Sequence, residues 1–106
     1  GNGLVDGPVI YTGFKPAYVM IKKISGTGNW VINDSARSPF NEIDDQLLAN
    51  TTAAETTGSE EIDFLSSGFK IRGPDSDTNS SGGDYVYMAW ASNPFGGEST
   101  TPSTAF

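Results

Sequence analysis

Few side chains in this sequence could carry out acid–base or nucleophilic chemistry, because its 106 residues include no histidine and no cysteine. Their absence removes His-based proton transfer, cysteine nucleophiles, disulfides and thiolate metal ligands together. The densest carboxylates are the pairs Asp44-Asp45 and Glu60-Glu61. A glycosidase needs two carboxyl groups across a cleft, whereas neighbours on a strand point to opposite faces. We therefore predict a non-enzymatic protein with no catalytic residue.

One short segment resembles the opening of a calcium-binding loop. Residues 75–79 read DSDTN, in which alternate side-chain oxygens can converge on a hard cation. The match then ends, because Ser80 stands where such loops have glycine and Val86 stands where they have a bidentate glutamate. Two interpretations stay open: an ordinary Asx-rich turn with no cofactor, or a calcium site formed by Asp75, Asp77 and Asn79.

Aromatic side chains are the remaining candidates for ligand binding, because an aromatic face can stack on the CH groups of a sugar ring. Trp30 follows the loop SGTGN at residues 25–29, so we predict that Asn29 and Trp30 form a partly exposed ligand-binding pair. Tyr87 and Trp90 lie in an apolar run, and we assign both to the core.

Composition excludes several classes of partner. The net charge of −7 makes nucleic acid an improbable partner, since its binding requires cations that neutralise phosphates. No apolar run approaches the ~20 residues that span a bilayer, so membrane insertion is not expected. We predict one domain over residues 1–106, with a linker-like start at residues 1–7 and an irregular strap at residues 93–106. The beginning at Gly1, inside a GNG turn, suggests a piece of a longer protein.

The elements that position these residues are strands. Residues 17–34 read AYVMIKKI, SGTGN and WVIND, which is typical of a β-hairpin. Both faces of its first strand are apolar, which predicts a central strand covered on both sides. A five-residue loop would place Ile24 opposite Trp30 and Lys22 opposite Ile32.

Further strands follow from similar patterns. Residues 84–92 (DYVYMAWAS) have no polar face and are predicted as a second interior strand, while Pro8 to Tyr11 form an edge strand. Residues 62–72 form a second hairpin in which Gly68 takes a positive φ angle and Phe69 and Ile71 face inward.

The polar segments are predicted as connections, with one exception. Residues 44–55 allow a short helix, but Thr51 and Thr52 favour a strand near residues 46–50. Residues 55–61 and 73–83 read as an exposed turn and an exposed loop. Five to seven strands with no convincing helix indicate an all-β, antiparallel, jelly-roll-like β-sandwich.

Four motifs, in this order, resemble a module of tailed-bacteriophage structural proteins, particularly tail-fibre and other virion proteins of marine and cyanobacterial phages. They are GFKPAYVMIKK (13–23), TGNWVINDSARSPFN (27–41), DFLSSGFKIR (63–72) and NSSGGDYVYMAWASNPFGG (79–97). These residues are mainly scaffold and turn residues. The resemblance therefore implies a β-sandwich on a virus particle and supplies no catalytic residue.

The resemblance implies a non-enzymatic tail-fibre or receptor-binding module on an extracellular virion, in contact with the host surface. It further implies a homo-oligomer, with a trimer expected for a fibre, and a host-surface glycan as a candidate ligand. Two alternatives stay open: a decoration protein of a capsid or tail, and a carbohydrate-binding module of a secreted protein.

Overall fold

The computed structural model describes residues 1–36, 41 and 43–91. In this part of the chain there is no helix, and so none that could cross a membrane. The structure here consists of seven strands, β1 (Val9–Tyr11), β2 (Pro16–Lys23), β3 (Trp30–Asp34), β4 (Ile43–Leu48), β5 (Thr56–Leu65), β6 (Gly68–Ile71) and β7 (Tyr85–Ala91).

The strands lie in the order β1-β6-β5-β4-β3-β2-β7, and every neighbouring pair is antiparallel. Strands β2 to β6 follow one another as a meander. Strand β1 pairs with β6 and β7 pairs with β2, so the first and last strands form the two edges. The connections β1–β2 and β6–β7 consequently cross from one side of the structure to the other.

Strand β4 divides the meander into two packed sheets. Its first part pairs with β5, through Asp45 opposite Thr57, whereas its last two residues pair with β3, through Leu47 opposite Ile32. We call β1, β6, β5 and the first part of β4 sheet I, and the end of β4 with β3, β2 and β7 sheet II. Where β3 and β4 separate, the buried amide of Asn33 donates to the carbonyls of residues 43 and 45, at 3.4 and 3.2 Å.

The core lies between the inner faces of the two sheets. Sheet II contributes Val19 and Ile21 from β2, and both are almost fully buried. Sheet I and the start of β4 contribute the other buried members of the cluster, Ile43, Ile62, Phe64, Phe69 and Ile71. The all-β antiparallel sandwich predicted from the sequence is confirmed.

The first hairpin has the predicted strands but a different register. Lys22 lies opposite Trp30, and Met20 lies opposite Ile32, so the predicted pairing of Ile24 with Trp30 is wrong. The hairpin opens earlier because the β6–β7 connection binds its end: the Ile24 amide donates to the Asp84 carbonyl, and Asn29 is bound by Asp77.

Two other local predictions are also wrong. Residues 55–61 are not a solvated turn, because β5 begins at Thr56 and pairs with β4 across an irregularity in the ladder. Gly68 is not among the glycines with a positive φ angle, which in the described chain are Gly3, Gly13 and Gly82. Several other predictions agree: β1 is an edge, β4 is a strand, and Phe69 and Ile71 are buried. The strap predicted at residues 93–106 lies outside the described residues.

Gly68 is required by close approach to β1. A Cβ atom added there would overlap the backbone carbonyl of Ile10, since Gly68 pairs with Tyr11 at the edge of sheet I. We expect Gly68→Ala to lower the free energy of unfolding by about 1–3 kcal/mol, because β1 must shift. Urea denaturation measures this. Gly26→Ala is the matched control, because its Cβ would meet only the flexible Lys23 side chain at 3.8 Å; equal effects of the two substitutions would contradict the explanation.

Candidate functional site

The outward surface of sheet II is apolar across four strands. Side chains directly opposite one another in a ladder share a face, so the register defines this surface row by row. Its central row joins Met88, Met20, Ile32 and Leu47. The row on one side joins Val86 and Lys22 to Trp30, and the row on the other side joins Trp90 and Tyr18 to Asp34. We call the apolar members the outer apolar face: Tyr18, Met20, Trp30, Ile32, Leu47, Val86, Met88 and Trp90.

Much of the outer apolar face is open to solvent. Val86, Met88 and Trp90 are 46%, 47% and 45% exposed, and Trp30 is 39% exposed. By the usual size of such side chains, these four display on the order of 400 Å² of apolar surface, within the size of patches that mark interaction sites. Trp90 is held in place by an edge-on contact with Tyr18, with ring centroids 5.1 Å apart.

This surface corrects two predictions from the sequence. Strand β2 is central, but only its Val19 and Ile21 face is covered. Strand β7 is an edge strand rather than an interior one. Trp90 lies on the outer apolar face and is 45% exposed, so its assignment to the core is wrong. Tyr87 lies opposite Ile21 on the inner face and contacts Phe69, but it is 41% exposed at the edge, so it is only partly in the core. An apolar face is buried only if another layer covers it, and sheet I covers one side alone. The apolar residues that predicted a buried second face instead form an exposed surface.

Charge is sparse in the three rows. They contain one cation, Lys22, and one anion, Asp34, at opposite ends of the strands. The ammonium of Lys22 donates to the carbonyl of Lys23 at 2.6 Å. The net charge of these three rows is therefore zero, whereas the net charge of the chain is −7. The excess of acidic residues lies outside this surface.

The predicted ligand-binding pair lies where β3 meets the β6–β7 connection. The backbone and side-chain amides of Asn29 donate to the Asp77 carboxylate at 3.2 and 2.8 Å. Asn50 joins the group, because its side-chain amide donates to Oδ1 of Asn29 and its own Oδ1 accepts from the backbone amide of Trp30. Asn29 is thus engaged within the protein, whereas the Trp30 side chain belongs to the outer apolar face.

The structure also shows where each predicted calcium ligand lies. The Asp75 carboxylate accepts the Asp77 amide at 2.6 Å, and the Asp75 carbonyl accepts the Asn79 amide at 2.7 Å, as in an Asx-rich turn. The Asp77 carboxylate binds Asn29. Among the described residues, no group of three or more His, Cys, Asp or Glu side chains is placed to hold a metal. Calcium stays a prediction, and a rise in melting temperature with added Ca²⁺ would establish it.

Asn79 has a structural role that its sequence context does not indicate. Its side chain is fully buried, although residues 73–83 were predicted to be an exposed loop. Its oxygen accepts the Asn2 amide at 2.9 Å, and its nitrogen donates to the Asn2 side chain and to the carbonyls of Leu4 and Gly73. Residues 1–7, predicted as linker-like, are therefore bound to the β6–β7 connection.

We expect Asn79→Ala to lower the free energy of unfolding by about 2–4 kcal/mol, since it leaves buried backbone groups without partners. Thermal and urea denaturation measure this. Asn50→Ala is the control: Asn50 makes two similar bonds but is exposed, so we expect a loss below about 1 kcal/mol. If the two substitutions lowered the free energy of unfolding equally, burial of Asn79 would not explain its contribution to stability.

One carboxyl group in the N-terminal segment has a shifted pKa. Asp6 accepts from the Lys70 ammonium at 2.6 Å, and this hydrogen bond and charge hold the pKa of Asp6 below its ordinary value of 3.8. Because the folded pKa is lowered, the small stabilisation is present above pH 3.8 and is lost as the pH falls through the folded pKa.

The carboxyl carbon of Asp6 should therefore titrate below pH 3.8 when followed by NMR. Lys70→Gln removes the neighbouring charge, and we expect the midpoint to return towards the ordinary value. An unchanged midpoint in this variant would rule out Lys70 as the cause.

A family model described as "Domain of unknown function (DUF7483)" matches residues 1–94, so the chain belongs to this family. No curated protein and no solved structure matches the chain.

Proposed function

We propose that this member of a family of unknown function is a non-enzymatic structural module of a phage particle. In this proposal it is a tail-fibre or receptor-binding domain that assembles with copies of itself and contacts the host surface. One observation carries the proposal: the outer apolar face leaves large side chains of a small protein open to water. Hydrophobic burial is the main driving force of association, and an exposed patch of this size is typical of an interaction site.

The partner that fits this face best is a second copy of the same chain. With a net charge of −7, two copies repel one another through most of their surfaces. The outer apolar face avoids this repulsion, because Lys22 and Asp34 are the charges in its rows and they cancel. In a trimer, the outer apolar faces of three copies would turn towards a common threefold axis and cover one another's exposed side chains.

Assignment to a virus particle rests on the four motifs that resemble tailed-phage structural proteins. The resemblance also suggests the number of subunits, since phage fibres are commonly trimers. A capsid or tail decoration protein would use the same face against a different virion protein, and it would then be a monomer when isolated. The mass of the isolated chain therefore separates the fibre from the decoration protein.

We expect light scattering coupled to gel filtration to give three times the chain mass of 11.2 kDa, and Met88→Lys to reduce it to a single chain. Met88 lies in the central row and is 47% exposed, so a lysine there places a charge in the contact without disturbing the core.

The control for Met88→Lys is Val9→Lys. Val9 is 60% exposed but lies on β1, at the edge of sheet I and outside the outer apolar face, so this variant should keep the wild-type mass. A wild-type monomer, or a Met88→Lys oligomer of unchanged mass, would contradict self-assembly through this face.

A further inference from the structure

The two edge strands border a common cleft that the assembly surface does not use. Its volume is about 520 Å³, and its described lining residues are Tyr11, Thr12, Phe14, Tyr87 and Ala89. Tyr11 is the last residue of β1, and Tyr87 and Ala89 lie on β7. The cleft therefore lies between the two edge strands, which do not pair with each other in the described structure. This volume falls within the range of about 300–1,000 Å³ found for small-molecule sites. We call it the edge cleft.

Two tyrosines present their rings to the edge cleft. Tyr87 is 41% exposed, and its ring plane is fixed by an edge-on contact with Phe69, with centroids 5.3 Å apart at 79°. Tyr11 is 71% exposed, so little of its ring is used in packing. Exposed aromatic rings on a rigid support suit recognition better than stability, since they lose little conformational freedom on binding.

The floor of the edge cleft is held rigid by hydrogen bonds. The hydroxyl of buried Thr12 donates to the Phe14 carbonyl at 2.8 Å, and the amides of Thr12 and Gly13 both donate to the Ser67 carbonyl. Gly13 has a φ of 85°, a left-handed conformation that glycine adopts without strain. The connection between β1 and β2 is therefore shaped in advance of any ligand.

The chemistry of the lining selects the ligand class. Among the lining residues that the structure describes there is no lysine, arginine or carboxylate, so these residues offer nothing to pair with a phosphate, a carboxylate or an ammonium. They offer aromatic faces and tyrosine hydroxyls. In addition, two edge strands direct part of their backbone donors and acceptors away from their neighbours. Apolar faces bordered by neutral hydrogen-bonding groups match a pyranose ring, whose CH groups form apolar patches and whose hydroxyls need partners.

We infer that the edge cleft binds an uncharged sugar ring, with Tyr11 and Tyr87 as stacking residues. This inference deepens the proposed function, because it names the ligand class through which the module would contact a host surface. It places that contact away from Asn29 and Trp30, the pair that the sequence predicts.

The test is saturation-transfer NMR of the full chain with glucose, galactose, mannose and N-acetylglucosamine, each at millimolar concentration. We expect transfer to at least one sugar, and we expect Tyr11→Ala to weaken its binding about tenfold, since one stacked ring contributes up to about that factor. Tyr11→Phe keeps the ring and should bind within about threefold of wild type.

Trp30→Ala is the matched control, because it removes an exposed ring outside the edge cleft and should leave sugar binding unchanged. Loss of binding in Trp30→Ala with retention in Tyr11→Ala would overturn the inference, as would no transfer to any of the four sugars. Choline is a comparison ligand: binding of choline in place of the sugars would show a cation site and would also overturn it.

These outcomes are independent of self-assembly. Tyr11→Ala should keep the oligomer mass, since Tyr11 is not part of the outer apolar face. A sugar-binding monomer would contradict the assembly proposal alone, whereas an oligomer that binds no sugar would contradict this inference alone.

Discussion

The sandwich depends on one strand that belongs to two sheets. Strand β4 pairs with β5 along its first part and with β3 only at Leu47 and Leu48, so the meander bends where the backbone ladder between β3 and β4 is incomplete. The buried amide of Asn33 supplies hydrogen bonds across that opening. This bend brings Val19 and Ile21 against Phe64 and Phe69, and so creates the core.

The same bend decides which apolar surfaces remain in water. Sheet I is large enough to cover one face of sheet II, and it leaves the opposite face exposed with rows centred on Met20 and Met88. It also leaves β1 and β7 as two edges that do not pair with each other in the described structure. The outer apolar face and the edge cleft are thus two results of one geometry. This explains how so small a chain can present both an exposed apolar surface and an open cleft.

The strands are well predicted, because each depends mainly on the residue types and the alternation of a few neighbouring positions. Alternation from Tyr18 to Ile21 and the apolar run at β7 indicate strands whatever surrounds them. The same patterns do not reveal how many layers the fold has, so they assign Trp90 to the core although it is 45% exposed and no described layer covers it. Strand β5 was partly missed because its polar start at Thr56 is paired only through the tertiary structure.

The candidate sites were harder to predict than the strands. Asn79 looks like any loop asparagine until Asn2, 77 residues away in sequence, is brought beside it. The edge cleft depends on Tyr11 and Tyr87, which lie on the two edge strands and line one cleft only in the folded protein. Trp30 was correctly expected to be partly exposed, because it follows a glycine-rich loop, but no short-range pattern shows which neighbours share its surface.

Strand β7 has a consequence for the unassembled protein. Its seven residues, YVYMAWA, include no charge and no proline, the two features that natural edge strands commonly use to prevent unwanted pairing. Among the described strands, β2 is the neighbour of β7, and an edge of this composition can pair with the edge of another copy, which can pair with a third. A partner that covers β7 would therefore also protect the chain from edge-to-edge aggregation.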